Sequence, residues 1–324
     1  RQATGRYVLY LNPDTLLPQN CLHQCLAYVA QHPQLGALGV HMIDGSGHYL
    51  PESKRAFPAP ATAFFKLFGM AAAFPRSAIF ARYYLGQLPP QHNHVVDVLA
   101  GAFLLAPNTV LQATGGFSQD YFMYGEDIDL SYRIQQAGLQ NHYFAQSSII
   151  HFKGESTKKG SLNYVRLFYG AMVIFVQKHY SKGSARFFSF FIQLAIALHA
   201  VGAVVLQHWR RLWQRFRPRQ ASTPHMYWLC GSGPATASAA QLLAAAGLAH
   251  KPLPHLQQAA PQSAIVFCFD AAHSTAPGIS LQQAMAHMQQ HHSGFLYHFH
   301  YAGSGNIITS CSHATLGQAL LTPP

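Results

Sequence analysis

The sequence predicts an α/β protein, and three observations lead to this prediction. Apolar runs of strand length alternate along the chain with segments of helical periodicity, which is typical of an α/β sheet. The 324 residues are enough for one large domain or two ordinary ones. Hydrophobic residues make up 49% and aromatic residues 13% of the chain, which excludes a wholly disordered protein.

The elements of the first half follow one another in a regular order. An apolar run at 7–11 predicts a buried strand, and the proline two residues later stops it. The stretch 51–92 is rich in proline, alanine and aromatic residues without clear periodicity, so we expect a loop with short helices. The other predicted elements are a helix at 18–31, a strand at 37–43, a strand at 95–106 broken at Gly101, a helix at 126–137, a strand at 141–152 and a helix at 162–180.

The charge of the chain is low and uneven. Charged residues are 10% of the total, the formal net charge is +11, and no acidic residue lies within 156–269. The run 187–209 has no charged residue and is long enough to cross a bilayer, which takes about 20 residues. Five arginines follow within 210–219. We therefore predict a membrane-associated helical segment at 161–221, and the alternative is a buried core helix with a basic end.

Residues 222–324 predict a small α/β domain of unknown role. Strands are expected at 226–230, 264–269 and 294–301, and an alanine-rich helix at 235–247. A Gly-Ser-Gly turn follows the first of these strands, as in dinucleotide-binding proteins. The third glycine of that fingerprint and an acidic residue about 20 positions further on are missing, so we do not expect dinucleotide binding.

Polar residues stand at the ends of several predicted elements of the first half. Asp14 follows the first strand, Asp127 opens a helix and His151 ends another strand. Ligands of open α/β sheets bind beyond the carboxyl ends of the strands, so these three side chains are expected at one sheet edge. A carboxylate and an imidazole can hold a divalent cation, Mg²⁺ or Mn²⁺, that also binds substrate phosphates. The alternatives are a turn aspartate, a helix-terminal charge and a structural histidine.

Four motifs in this order and spacing resemble one enzyme family. They are YVLYLNPDT, DVLAGAFLL, GGFSQDYFMYGEDIDLSYRIQQAG and IIHFKGESTKK. Over about residues 5–180 the chain resembles the family 2 glycosyltransferases, and within them the rhamnosyltransferase-like enzymes that build bacterial polysaccharides. The C-terminal segment resembles an extension that some Bacteroidetes members of this family carry.

The resemblance implies a GT-A fold and an inverting transfer from a nucleotide-diphosphate sugar. The NPD motif stands where the family has its DxD motif, so Asp14 matches the metal-binding carboxylate and Asn12 would face the nucleotide sugar. Asp127 matches the general base that takes the proton from the acceptor hydroxyl, and Glu126 would orient the base or the acceptor. His151 matches a position that can complete the metal shell in related enzymes.

Further residues are expected to contact the substrates. Gly101 and Ala102 match a segment that lines the donor-sugar pocket, where a side chain would block close approach. Arg133 and Lys153 are candidates for phosphate contacts. Asp97 is a candidate substrate contact, and a purely structural role is the equal alternative.

The chain departs from the family at its start. The family begins with a nucleotide-binding βαβ half, whereas this chain begins just before the NPD strand. We therefore expect a partial GT-A catalytic domain at 1–160 that lacks this half, and we expect the 324-residue chain alone to be inactive.

Together these features predict a metal-dependent glycosyltransferase that acts on a glycan or lipid-linked acceptor at the cytoplasmic face of the bacterial inner membrane. The alternative from another class is a non-catalytic, membrane-bound remnant that serves as a binding module. We do not expect nucleic-acid binding, because the arginines adjoin a long apolar run and no nucleic-acid motif is present.

Overall fold

The computed structural model of the chain describes residues 3–152, 162–180, 226–253, 264–270, 279–291 and 295–309, together with a few shorter pieces. Lys153 and most of the run 187–209 lie outside the described residues, and so does most of the predicted segment 161–221 beyond its first helix. Among the residues that are described, no helix combines the length and the apolar character needed to cross a membrane.

The first part of the chain is built around one mixed sheet. Its strands are β1 (Tyr7–Leu11), β2 (Thr15–Leu16), β3 (Leu35–Ile43), β4 (Lys54–Arg55), β5 (His94–Val96), β6 (Val98–Leu99), β7 (Phe103–Pro107) and β8 (Gln140–His151). The sheet has the order β1-β7-β3-β8-β2, and β5 pairs with β8 as well. The short strands β4 and β6 pair with each other outside it.

The strand directions bring the predicted site to one edge of this sheet. Strand β7 is antiparallel to both β1 and β3, and β3 is parallel to β8. Strands β1, β3 and β8 therefore run the same way and end at the same edge. Beyond β1 the chain crosses this edge and enters β2, which pairs antiparallel with the end of β8 and sets Thr15 opposite His151.

Helices cover the sheet and bury their apolar sides. They are α1 (Cys21–Ala30), α2 (Pro60–Leu67), α3 (Met70–Ala73), α4 (Asn108–Thr114), α5 (Glu126–Gln136) and α6 (Leu162–His179), with short 3₁₀ turns at Pro51–Ser53 and Arg82–Tyr84. Helix α1 buries Cys21, Cys25 and Val29, which lie four residues apart on one face. Helix α5 packs closely on β3, because a Cβ at Gly36 would lie 2.3 Å from Cγ2 of Ile134.

The predicted strand at 95–106 differs from the structure, and the short strands β2 and β4 were not predicted. The expected strand at 95–106 breaks at Gly101 as predicted, but the chain also turns at Asp97, so this stretch forms three short strands. These turns let the three pieces pair with β8, β4 and β1 in succession. Helix α4 was not predicted.

A second sheet follows in the C-terminal part. Its strands are β9 (Tyr227–Cys230), β10 (His250–Pro252), β11 (Ala264–Phe269), β12 (Leu296–Tyr301), β13 (Ile308–Thr309) and β14 (Gln318–Ala319), in the order β10-β9-β11-β12-β13-β14. The first four are parallel, and the helices are α7 (Pro234–Ala245) and α8 (Leu281–Gln290). The carboxylate of Asp270 accepts the backbone N–H of Ala235 at 2.8 Å and so occupies the N-terminus of α7.

The two sheets share a hydrophobic core. Ile43, Ile150 and Phe152 belong to the same buried cluster as Phe267 and Phe299 of the second sheet. The rings of Phe152 and Phe299 lie 5.2 Å apart, edge to face. The C-terminal part of the chain thus packs against the end of β8, which carries His151.

Candidate active site

A sharp turn places two carboxylates at the start of helix α5. Tyr124 and Gly125 both have positive φ angles, 65° and 87°. A Cβ at Gly125 would lie 2.9 Å from the ring of Tyr121, so glycine is required both by its backbone angle and by its neighbour. The turn leaves Glu126 and Asp127 in the first turn of α5, where the helix dipole favours negative charge.

The carboxylate of Asp127 is held from several directions. Its Oδ2 accepts the guanidinium Nη2 of Arg55 at 2.5 Å and the backbone N–H of Gly101 at 3.0 Å. Its Oδ1 accepts only the N–H of Ile128, at 2.8 Å, among the contacts of the described residues. The side chains of Arg55 and Asp127 are 7% and 13% exposed. The ion pair is therefore largely shielded from water, and one oxygen of the carboxylate is more engaged than the other.

The guanidinium of Arg55 also contacts strand β6 and the 3₁₀ turn at Arg82–Tyr84. Its Nη2 also donates to the carbonyl of Leu99 at 3.0 Å, and its Nη1 lies 3.5 Å from the hydroxyl of Tyr83. Burial lowers the pKa of Arg55, but Asp127 and Tyr83 together outweigh this and hold that pKa above its ordinary value. Arg55 is thus a permanent cation facing the candidate base.

The neighbouring carboxyl group of Glu126 has different electrostatics. Burial, and then the charge of Asp127, raises the pKa of Glu126 to about 7. Its Oε2 is buried and finds no hydrogen-bond partner within the described part of the chain. Glu126 can therefore gain or lose a proton near neutral pH and has an oxygen available for a ligand.

A second polar group lies at the ends of β1 and β8. The imidazole Nε2 of His151 is 3.3 Å from Oδ1 of Asp14 and 3.4 Å from the amide nitrogen of Asn12. The backbone N–H of Asn12 donates to the carbonyl of Ala102 at 3.0 Å. Ala102 follows Gly101, which contacts Asp127, so one backbone stretch connects the two polar groups.

The pair Asp14 and His151 fits part of the shell of a divalent cation. Mg²⁺ and Mn²⁺ are usually held by oxygen ligands, among them one or two carboxylates, waters and substrate phosphates. Asp14 supplies such a carboxylate, and His151 would add an imidazole nitrogen. No group of three or more metal-ligating side chains occurs among the described residues.

Space beside Asp127 is limited at Gly101. A Cβ built there would lie 3.4 Å from Cβ of Asp127 and 3.5 Å from Cζ of Phe117, which is ordinary contact distance. A methyl group would fit, but a longer side chain would cover the carboxylate. The structure therefore places Gly101 and Ala102 beside the candidate base.

Two other predicted substrate contacts, Asp97 and Arg133, are not brought to this group. Oδ2 of Asp97 accepts the backbone N–H of Phe57 at 3.4 Å. Arg133 uses its guanidinium inside the protein, on Asp129 and on the carbonyls of Thr114 and Gly116. Lys153 lies outside the described residues. A role of Asp97, Arg133 or Lys153 in substrate binding stays a prediction.

Asp129 has a structural place that the sequence did not reveal. Its carboxylate is fully buried and lies 2.7 Å from Nε2 of His179 and 3.4 Å from Nζ of Lys178. Together with Arg133, these groups join α5 to the end of α6. The Asp129 network thereby steadies the helix that presents Glu126 and Asp127.

Arg55 is the site residue that sequence reasoning missed. It lies in a stretch that was expected to be a loop, and no motif marks it. A weak signal was available, because Lys54 and Arg55 form a charged pair in a chain with only 10% charged residues. Both are buried, and Nζ of Lys54 donates to the carbonyl of Leu85 at 2.8 Å.

The first sheet is mixed α/β and typical of the GT-A fold of glycosyltransferases. The family model described as glycosyltransferase-like family 2 matches residues 1–168, more than half of the chain. The chain therefore belongs to glycosyltransferase family 2, and this prediction is confirmed.

Its curated relatives include rhamnosyltransferases. The chain is 28% identical over 179 residues to N-acetylglucosaminyl-diphospho-decaprenol L-rhamnosyltransferase of Mycobacterium tuberculosis, covering 54% of this chain and 56% of the relative. It is 30% identical over 154 residues to rhamnosyltransferase WbbL of Escherichia coli K12, covering 47% and 54%. The rhamnosyltransferase-like character is confirmed, and the chain spans about half the length of the curated relatives it matches.

Proposed function

We propose that the active protein is an inverting glycosyltransferase of bacterial surface polysaccharide synthesis. It moves a rhamnosyl or other hexosyl unit from a nucleotide-diphosphate donor to a glycan or lipid-linked acceptor. The observation that carries the proposal is the carboxylate of Asp127, held by Arg55 and Gly101 beside the group of Asn12, Asp14 and His151. The mycobacterial relative is named for N-acetylglucosaminyl-diphospho-decaprenol, which supports a lipid-linked acceptor here.

Asp127 serves as the general base. The acceptor hydroxyl gives its proton to the carboxylate while its oxygen bonds to the anomeric carbon, and the bond to the diphosphate breaks with its electron pair leaving on phosphate. We assign the proton to Oδ1, because Arg55 and Gly101 both donate to Oδ2. The buried Oε2 of Glu126 would accept a hydrogen bond from the acceptor and orient it.

The donor side of the site lies at the ends of β1 and β8. A divalent cation held by Asp14 and His151 would supply positive charge where the diphosphate departs. The amide of Asn12 would orient the nucleotide sugar, and the absence of a side chain at Gly101 leaves room for the donor sugar next to the base. Lys153 is retained as a candidate phosphate contact.

The proposed location is the cytoplasmic face of the bacterial inner membrane. Two observations support it: the net charge of +11, which suits an anionic surface, and the lipid-linked substrate in the name of the mycobacterial relative.

The decisive test is the substitution Asp127→Asn in the active protein. We expect transfer to be lost while the donor still binds, because the amide keeps the shape of the carboxylate but cannot accept the proton. Asp120→Asn is the matched control, since Asp120 is an exposed carboxylate paired with Lys178 outside the site. Full transfer by Asp127→Asn would contradict the assignment of the base, and absence of transfer in the unmodified protein would favour the non-catalytic alternative.

A further inference from the structure

A set of large apolar side chains is exposed on the helical excursion between β4 and β5. Phe64 and Phe68 of α2 are 42% and 40% exposed, and Phe74 and Ile79 beyond α3 are 55% and 66% exposed. We call these four side chains the aromatic patch. Apolar residues scattered singly over a surface are ordinary, but a continuous apolar surface marks an interaction site.

Ring contacts connect the three phenylalanines of the aromatic patch. The rings of Phe64 and Phe68 lie 4.5 Å apart, and those of Phe64 and Phe65 lie 6.0 Å apart. Phe80 then contacts both Phe65, at 5.1 Å, and Phe74, at 5.3 Å. The exposed rings are therefore supported by partly buried rings beneath them and form one surface.

The segment that carries the aromatic patch contains basic residues and no acidic residue. Of the five lysines and arginines within 53–96, Lys54 and Arg55 are buried, and Lys66 lies over the ring of Phe168. Arg76, between Phe74 and Ile79 in the chain, and Arg82, three residues after Ile79, are both exposed. An apolar aromatic surface with a basic rim matches the interface of an anionic bilayer, where rings enter the headgroup region and arginines face lipid phosphates.

The excursion is also joined to the candidate active site. The backbone N–H of Ala56 donates to the carbonyl of Tyr83 at 2.9 Å, and Nζ of Lys54 donates to the carbonyl of Leu85 at 2.8 Å. Nζ of Lys66 on α2 lies 3.5 Å from the ring centre of Phe168 on α6. The strand β4, which carries Arg55, is thus the short connection between the patch and Asp127.

We propose that the aromatic patch, with Arg76 and Arg82 at its rim, is the surface by which the protein docks on an anionic phospholipid bilayer. Docking here brings the candidate base to the membrane that holds a lipid-linked acceptor. That purpose rests on the proposed function, whereas the docking itself does not.

The test is flotation of the 324-residue chain with vesicles of phosphatidylcholine and phosphatidylglycerol. We expect Phe64→Gln/Phe68→Gln to weaken binding about tenfold or more, because both rings leave the interface. Arg76→Gln and Arg82→Gln should each weaken binding about fivefold. The matched control is Leu22→Gln/Leu26→Gln on α1, whose side chains have the same helical spacing and are 44% and 39% exposed.

Each outcome of this experiment decides for or against the docking surface. Loss of binding in the patch variants, with the α1 control unchanged and circular dichroism preserved, supports it. Equal binding of the Phe64/Phe68 variant and the unmodified chain overturns it, and so does equal binding to vesicles of phosphatidylcholine alone. A patch variant that binds vesicles normally but melts at a lower temperature would show that the chain itself covers the patch, which also overturns it. None of these measurements requires sugar transfer, so they remain separate from the test of Asp127.

Discussion

The ion pair of Arg55 and Asp127 allows a quantitative test of how the candidate site is built. Its side chains are 7% and 13% exposed, and its N–O distance is 2.5 Å. Removing one partner of a buried pair leaves an uncompensated charge and costs about 3–5 kcal/mol. Because Asp127 keeps the N–H of Gly101 as a second donor, we expect Arg55→Met to lower the free energy of unfolding by about 3 kcal/mol, at the lower end of that range.

The assay is a double-mutant cycle by urea unfolding, followed by circular dichroism. It compares the unmodified chain, Arg55→Met, Asp127→Asn and the double variant. The double variant buries neither charge, so it should be much more stable than the sum of the two single losses implies. We expect a coupling of about 2 kcal/mol, within the range measured for contacting residues.

The control cycle uses Lys178 and Asp120. Their N–O distance is similar, 2.7 Å, but the side chains are 34% and 59% exposed. Exposed pairs gain little, since water screens both charges. We therefore expect no measurable coupling between Lys178 and Asp120. A coupling energy between Arg55 and Asp127 as small as that of the control pair would show that burial does not strengthen this ion pair.

Three further predictions concern titration and metal. Burial raises the pKa of Glu126 from 4.5 to about 7, so between these pH values the folded protein holds a proton that the unfolded chain has released. The free energy of unfolding should therefore fall as the pH rises through this interval. In unfolding experiments at a series of pH values, Glu126→Gln should make this fall smaller. Burial opposes the charge of Asp129, but hydrogen bonds from His179 and Arg133 outweigh this and keep the pKa of Asp129 below its ordinary value. Its stabilisation is therefore present at neutral pH and lost as the pH falls through the folded pKa, and Asp129→Asn should cost about 3 kcal/mol in thermal unfolding at pH 7. Chelation of divalent cations should stop transfer by the active protein, and Asp14→Asn should raise the Mn²⁺ concentration that restores it.

One result would contradict each of these three predictions. An unchanged pH slope in Glu126→Gln would show that another group titrates between pH 4.5 and 7. An Asp129→Asn variant as stable as the unmodified chain would show that the Asp129 network does not stabilise the packing of α5 on α6. Undiminished transfer in the presence of a chelator would exclude a metal role for Asp14 and His151.

The strands and helices with strong periodicity were predictable from the sequence. The strand at Tyr7–Leu11 has the expected bounds, and the helix at Glu126–Gln136 and the strand at Gln140–His151 lie within one residue of them. Whether such a segment forms a strand or a helix can be predicted from the spacing of its apolar residues, which is a local property of the sequence. The break of 95–106 at Gly101 was predicted, but the further break at Asp97 was not predictable, because the two pieces on either side of it pair with different strands, β8 and β4.

The membership of the family and the residues that mark it were also visible in the sequence, because the motifs stand in a fixed order. The meeting of Asp14 with His151 followed from the rule that strand ends share an edge, although the pairing of β2 with β8 is what sets their distance of 3.3 Å. Arg133 shows the limit of such reasoning. Its charge suggested a phosphate contact, but its partners Asp129, Thr114 and Gly116 come from the folding of α5 against the preceding loop.

The family, the α/β class and the acidic motif were predictable from the sequence, since each depends on residues close together along the chain. Which charges meet depends on the tertiary structure. Arg55 and Asp127 are 72 residues apart and pair only because β4 runs beside β6, so no local pattern could connect them. The tertiary structure likewise decided that Glu126 is the carboxyl group with the raised pKa, because burial and the neighbouring charge of Asp127 act through space.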